Sequence, residues 1–178
     1  FTAYGYNFAT PGAYQYQKKE AGDILIAKLS PEGKRLWATY YGGRGADDLN
    51  SLVVDKEEQT LYIGGITNSD DIIHTSNAII SSYTYNSSKS AGIVAKFDLN
   101  GKYIWSSYTY TGNIITLDNK HNLILIERDS DLSKSSDEFS STKGNFTLSK
   151  YNKDLNLIWK RKIFDPENGL NPQQIINE

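Results

Sequence analysis

The oxygen-rich side chains of this 178-residue chain gather in a few short stretches, and any chemistry would have to start there. Asp47-Asp48, Asp70-Asp71 and the Asp98/Asn100 pair could coordinate calcium, a hard cation that takes about 6–8 oxygen ligands. None has the Asp-x-Asp-x-Asp-Gly spacing of a recognised loop, and Asp98-Leu99-Asn100-Gly101 reads better as a hairpin turn. Gly42 to Asp48 (GGRGADD) has the glycine content of a phosphate cradle. It lacks a following Lys-Ser/Thr, and a strand rather than a helix comes next. The structural reading is a tight corner between strands, with Asp47 bonding local backbone amides. His74 falls in a loop and His121 in a hairpin turn. Neither has a partner four residues away on a helix, so zinc and a catalytic triad are not supported and solvated loop histidines are expected. No serine stands in Gly-x-Ser-x-Gly. The expectation is a chain that is not an enzyme and needs no cofactor, with calcium at these aspartates as the alternative.

Recognition has more candidates than catalysis. The loop from Ser76 to Ala91 (SNAIISSYTYNSSKSA) carries Tyr83 and Tyr85 among serines and asparagines, a mixture suited to adaptable polar contacts. A loop on a rigid sheet is a common place for binding. The same tyrosines could equally cover a sheet edge. Trp37, Trp105 and Trp159 could stack on sugars, but their regular placement argues for packing between sheets. Lys160-Arg161-Lys162 could meet an acidic partner, although such a run more often guards an exposed sheet edge.

The elements that must position these residues recur. Lys28 precedes Trp37, Lys96 precedes Trp105 and Lys150 precedes Trp159, nine positions apart each time. A unit returning every ~50 to 70 residues marks a repeat architecture. Each Lys-to-Trp segment reads as a hairpin. In the first, Ile24 to Leu29 and Arg35 to Tyr41 flank a turn over Ser30 to Lys34. In the second, Ile93 to Phe97 and Tyr103 to Tyr108 flank Asp98 to Gly101. Gly33 and Gly101 share one turn position, where glycine accepts positive φ. In the third copy Leu155 falls there, and Asp154 or Asn156 is expected to take the left-handed conformation instead.

A second hairpin follows the first two: Leu49 to Asp55 with Leu61 to Thr67, then Ile114 to Asp118 with Leu123 to Glu127. Asp55 and Asp118 match. The third copy reaches this stage at Gln174-Ile175-Ile176. The copies run over about 1–66, 67–129 and an incomplete 130–178, forming one array. Ile24 and Ile26 point to one face, Leu25, Ala27 and Leu29 to the other, so the sheets are apolar on both sides and must lie between neighbours. No long segment keeps a helical period, and the best candidate, Asn77 to Ser81, is too short to stand. The predicted class is all-β: stacked four-stranded antiparallel sheets, a partial β-propeller.

Composition agrees. Thirteen tyrosines and 12 % aromatic residues suit pleated sheet. A net charge of −2 offers no basic field for nucleic acid. With no cysteine there are no disulfides or thiolate metal sites. No apolar run approaches the ~20 residues of a membrane span. The chain opens on Phe1 and contains no methionine, so it is expected to be a processed product or part of a longer one.

The run from Gly22 to Asp55, followed by LYIGGITNSDD, resembles the SBBP family of β-propeller repeats in exported bacterial proteins. The matching residues are Gly22-Asp23, Ala27 to Leu29, Gly33, Trp37, Tyr40, Gly42-Gly43, Gly45, Asp47, Asp55, Gly65, Thr67 and Ser69, with Pro11 to Gln15 similar to the link between repeats. The second copy keeps AKF, NGK and Trp105 but has Tyr110-Thr111-Gly112 at the glycine pair, and the third keeps little beyond its Lys-to-Trp frame. The resemblance implies blades within a secreted or cell-surface bacterial protein and no particular activity. The leading expectation is a non-enzymatic structural and interaction module, its partners other blades or domains of a longer protein or a separate protein. A glycan- or peptide-binding module using the loops is the alternative, and a hydrolase or lyase the remote one.

Overall fold

The computed structural model describes residues 2–3, 8–72, 74–84, 90–110, 114–128 and 146–163. Every regular element among them is a strand. In chain order these are β1 (Thr2–Ala3), β2 (Asp23–Leu29), β3 (Arg35–Tyr41), β4 (Asp47–Asp55), β5 (Thr60–Thr67), β6 (Ala91–Asp98), β7 (Tyr103–Thr109), β8 (Ile114–Leu117), β9 (Leu123–Arg128), β10 (Phe146–Tyr151) and β11 (Leu157–Ile163). They form three antiparallel sheets: β1-β2-β3, β4-β5-β6-β7 and β8-β9-β10-β11. Asn77 to Ser81 holds a turn and an isolated bridge, not a helix.

The repeat inferred from lysine and tryptophan is a repeat of register. Lys28 faces Trp37, Lys96 faces Trp105 and Lys150 faces Trp159, and in each hairpin a bulge follows the lysine. The bulge comes from the turn. Ser30, Asp98 and Asn152 each open one, with the amide three residues on donating to their carbonyl at 2.9–3.1 Å. The residue giving that amide has positive φ: Gly33 at 79°, Gly101 at 83° and Leu155 at 63°. The third turn therefore keeps its shape with Leu155 itself left-handed, and neither Asp154 nor Asn156 takes over. Asn152 Oδ1 holds the turn by accepting from the amides of Asp154 and Asn156 at 3.0 and 2.9 Å. The left-handed region costs a β-carbon roughly 1–2 kcal/mol. Burial of the Leu155 side chain, 6 % exposed, offsets it.

Alternation along the strands sends the two faces of one sheet into two cores. Ile93, Ala95 and Phe97 of β6 pack with Ile24, Ile26 and Tyr41 of the first sheet. Val94, with Tyr62 and Trp105, packs against Ile115, Leu123, Leu125 and Tyr151 of the third. Strands β5 to β7 of the second sheet are thus buried on both sides, as greasy strands require, while Leu52 and Val54 on its edge strand β4 stay exposed. Leu25, Ala38 and Tyr40 form a smaller cluster on the far side of the first sheet. The long connections before β2 and β6 each run along the outermost strand of their own sheet. The Thr10 amide bonds the Ala38 carbonyl, and the Thr75 amide the Ser106 carbonyl. Such cover blunts an edge that would otherwise recruit another strand.

Candidate functional site

Two gatherings of polar side chains among the described residues bear on the sites read from sequence. The first is the corner after β3. Asp47, wholly buried, accepts from the Gly43 amide at 2.9 Å, from Ser69 Oγ at 3.0 Å and from Thr67 Oγ1. Burial pushes its carboxyl up to about 6 against the pull of those donors. Asp23 lies beside it: a β-carbon on Gly42 would fall 2.5 Å from Asp47 Oδ2 and 3.0 Å from Asp23 Oδ1. Only glycine fits. Asp23 is buried too and its carboxyl is also raised, first by that burial. GGRGADD is thus a corner with Asp47 on a local amide. It reaches further than the sequence suggested, since the second acid, Asp23, comes from another strand.

The aspartates considered for calcium do not converge. Asp71 meets Lys19 at 3.1 Å and the Arg44 amide at 2.8 Å, and Asp70 meets the Arg44 guanidinium at 2.9 Å. Asp48 sits on β4 next to Asp47. Asp98 Oδ1 accepts from the amides of Asn100 and Lys102 inside its own turn. Among the described residues no three His, Asp or Glu side chains are arranged to hold a metal.

The second place is a cleft of about 330 Å³ between the turn ends of the second and third sheets. Tyr62 and Lys96 line it from one sheet; Lys120, Asn122, Asn152 and Lys153 line it from the other. His121, also part of the lining, crosses the gap, its Nδ1 2.7 Å from Asp55 Oδ2 and its Nε2 3.2 Å from Glu57 Oε2. The Asp55 bond raises the imidazole pKa above its ordinary value. Burial alone would raise the Asp55 carboxyl, but the Glu58 and Glu57 amides and His121 outweigh it and hold it low. His121, read from sequence as a solvated turn residue, is instead a clasp between sheets, because its left-handed φ of 62° and the stacking aim it at Asp55. His74 stays in an exposed loop, its ring 6.5 Å from that of Tyr108.

The tryptophans split. The Trp37 ring lies on the turn of the next sheet, with Nε1 donating to the Leu99 carbonyl at 2.9 Å. Lys28 Nζ donates to the same oxygen at 3.1 Å. Trp105, 6 % exposed, packs edge-on to Tyr62 with centroids 5.9 Å apart, and its buried Nε1 has no acceptor among the described residues. Trp159 is half-buried on β11. Beside it Lys160 lies over the Tyr110 ring at 4.7 Å, on the edge strand where a basic run was expected to stand guard.

Tyr83 rests against Tyr108, ring centroids 5.7 Å apart, and packs on the core between the first two sheets. Tyr85 lies outside the described residues, as do Asp129 to Lys143 and Gln174 to Ile176. Among the described residues no helix is long and apolar enough to cross a membrane. Compared with known family models and with curated proteins, the chain matches none.

In the sequence Lys96 is marked only by register and Asp23 only by the family resemblance, and nothing singles out Tyr62. The signal lay in the Lys-to-Trp spacing. It puts an ammonium and an indole on one face of one hairpin, where both need an acceptor from the neighbouring sheet.

Proposed function

We propose that this chain is a non-enzymatic structural and interaction module, a partial β-propeller of a secreted or cell-surface bacterial protein, built to continue by adding sheets. One observation carries the reading. In the second sheet, Tyr62, Val94 and Trp105 face the third sheet and are 1 %, 0 % and 6 % exposed. The corresponding face of the third sheet carries Ile124, Leu148 and Trp159, all half-exposed, and Ile114 at 54 %. The register is the same and the residues are equally apolar, but the cover is thinner. Such a face suits a further sheet of the same kind. The resemblance to exported propeller repeats supports the compartment and the blade geometry. Asp71, Asp70, Asp55 and Asp118 are engaged by Lys19, Arg44, His121 and Lys150, which suits scaffolding better than proton transfer.

The test extends the chain with the coding sequence that follows it in the gene. The longer protein is expected to melt higher and to bury Trp159, moving its fluorescence to shorter wavelength. Unchanged Trp159 emission, read in a variant with Trp37 and Trp105 replaced by phenylalanine, would remove the reading.

A further inference from the structure

The joint between the second and third sheets lacks an oxygen that the joint before it supplies. At the first joint, Lys28 and Trp37 share the Leu99 carbonyl. Their counterparts Lys96 and Trp105 occupy the same register at the second joint. There the Trp105 indole N–H is buried with no acceptor. Lys96, only 7 % exposed, has the Tyr62 ring beneath its ammonium at 4.8 Å and no oxygen partner among the described residues. The third member, Lys150, meets Asp118 at 2.5 Å. Among the described residues Lys96 is the one of the three without an oxygen partner, and it is more deeply buried than exposed Lys28.

The cause is one side chain. The equivalent of the Leu99 carbonyl is that of Lys153, one residue into the Asn152–Asn156 turn. At the first joint the Trp37 ring lies so close to Gly101 that a β-carbon there would approach it to 2.9 Å. Leu155 has that β-carbon and more, so Trp105 cannot settle on its turn as Trp37 does. The ammonium of this largely buried lysine opens on the cleft with no carboxylate within ion-pair distance among the described residues, and an oxygen anion that reaches it gains a charge-assisted hydrogen bond in a partly dry setting. The cleft at Lys96 gives a ligand room. Lys120 and Lys153 add positive charge, and the Asn152 side-chain amide, whose oxygen is used in its turn, has donors left for a hydroxyl. Glu58 and Asp154 also line the cleft, which disfavours a polyanion and favours one carboxylate on a small polar molecule.

We propose that the cleft between the second and third sheets binds a small carboxylate of the sugar-acid class through Lys96. This site stands apart from the role of the third sheet's outer face, and either can fail without the other.

The full chain is titrated with sodium glucuronate, sodium acetate and glucose, following the indole N–H resonances by NMR. Glucuronate is expected to bind and to shift Trp105 rather than Trp37, with glucose silent. Tighter binding of glucuronate than acetate assigns the ligand to sugar acids, and equal binding assigns it to simple carboxylates, which would overturn the sugar-acid class. Lys96→Gln is expected to weaken glucuronate at least tenfold, as loss of a charge-assisted bond would, while Lys28→Gln leaves it unchanged. Leu155→Gly, which keeps Lys96 but frees the Lys153 carbonyl to take both donors, is expected to weaken it similarly. No binding at tens of millimolar, glucose binding as well as glucuronate, or full affinity in a folded Lys96→Gln chain would overturn the site. If Lys96→Gln fails to fold, the Leu155→Gly result decides.

Discussion

The two joints between the three sheets follow one register and end in different chemistry. At the first, a glycine in the turn lets an indole lie flat on the backbone, and one carbonyl satisfies both the ring N–H and a lysine. At the second, a leucine holds the same turn in the same left-handed conformation and fills the core, and the equivalent donors are left over. The second joint gains a clasp in exchange, His121 on Asp55. Backbone geometry tolerates the change because the turn is held by Asn152. Side-chain satisfaction does not, because the indole and the leucine need the same space. A repeat can thus conserve its fold while one position decides whether polar groups are consumed inside it or offered outward.

The comparison breaks most visibly at Gly101. Gly101→Ala places a β-carbon at φ 83° and 2.9 Å from the Trp37 ring. It is expected to cost about 2 kcal/mol, from left-handed strain and the displaced indole. A stability loss in urea unfolding of less than a quarter of that would mean the ring yields freely, and the two joints would not differ for the reason given.

A smaller effect separates the indoles themselves. Trp37→Phe loses the bond to Leu99 and should cost about 1 kcal/mol beyond the loss of ring area. Trp105→Phe deletes a buried donor that has no acceptor, so its cost should be smaller, or its sign reversed. Equal destabilisation of the two variants in urea would show that Trp105 is satisfied after all.

The pH response of the second joint is the finest discriminator. His121 has its pKa raised in the folded chain, chiefly by its bond to Asp55. The folded state therefore holds the proton to higher pH than the unfolded chain does. The clasp's stabilisation is complete below the ordinary histidine pKa of about 6.5 and fades as pH rises through the folded value. Melting temperatures measured from pH 6 upward should fall faster for the parent than for His121→Gln. Parallel curves would leave the clasp without a role in stability.

Much of this was legible in the chain. The Lys-to-Trp spacing placed three hairpins, and the structure pairs those very residues. The alternation of Ile24 and Ile26 against Leu25 sends them into different cores. Gly42 to Asp48 read as a corner because glycines beside a turn-forming acid allow close approach. Other features were hidden for physical reasons. Propensity disfavours a left-handed leucine, and only burial among Tyr62, Trp105 and Leu125 makes Leu155 acceptable. His121 looked solvated because its partner, Asp55, sits on another sheet. Lys96 looked like any register lysine, since its want of an oxygen is defined by what the next sheet fails to present.

Local pattern by itself determined the strands, their turns and the two-faced burial of β5 to β7. Side-chain period, turn chemistry and hydrophobic alternation act over a few residues and leave their mark in order of sequence. Only the tertiary structure decided which donors found acceptors, which acids shared a corner and where a cleft opened. Those depend on distances between segments far apart in the chain, where a single β-carbon moves a ring off its carbonyl.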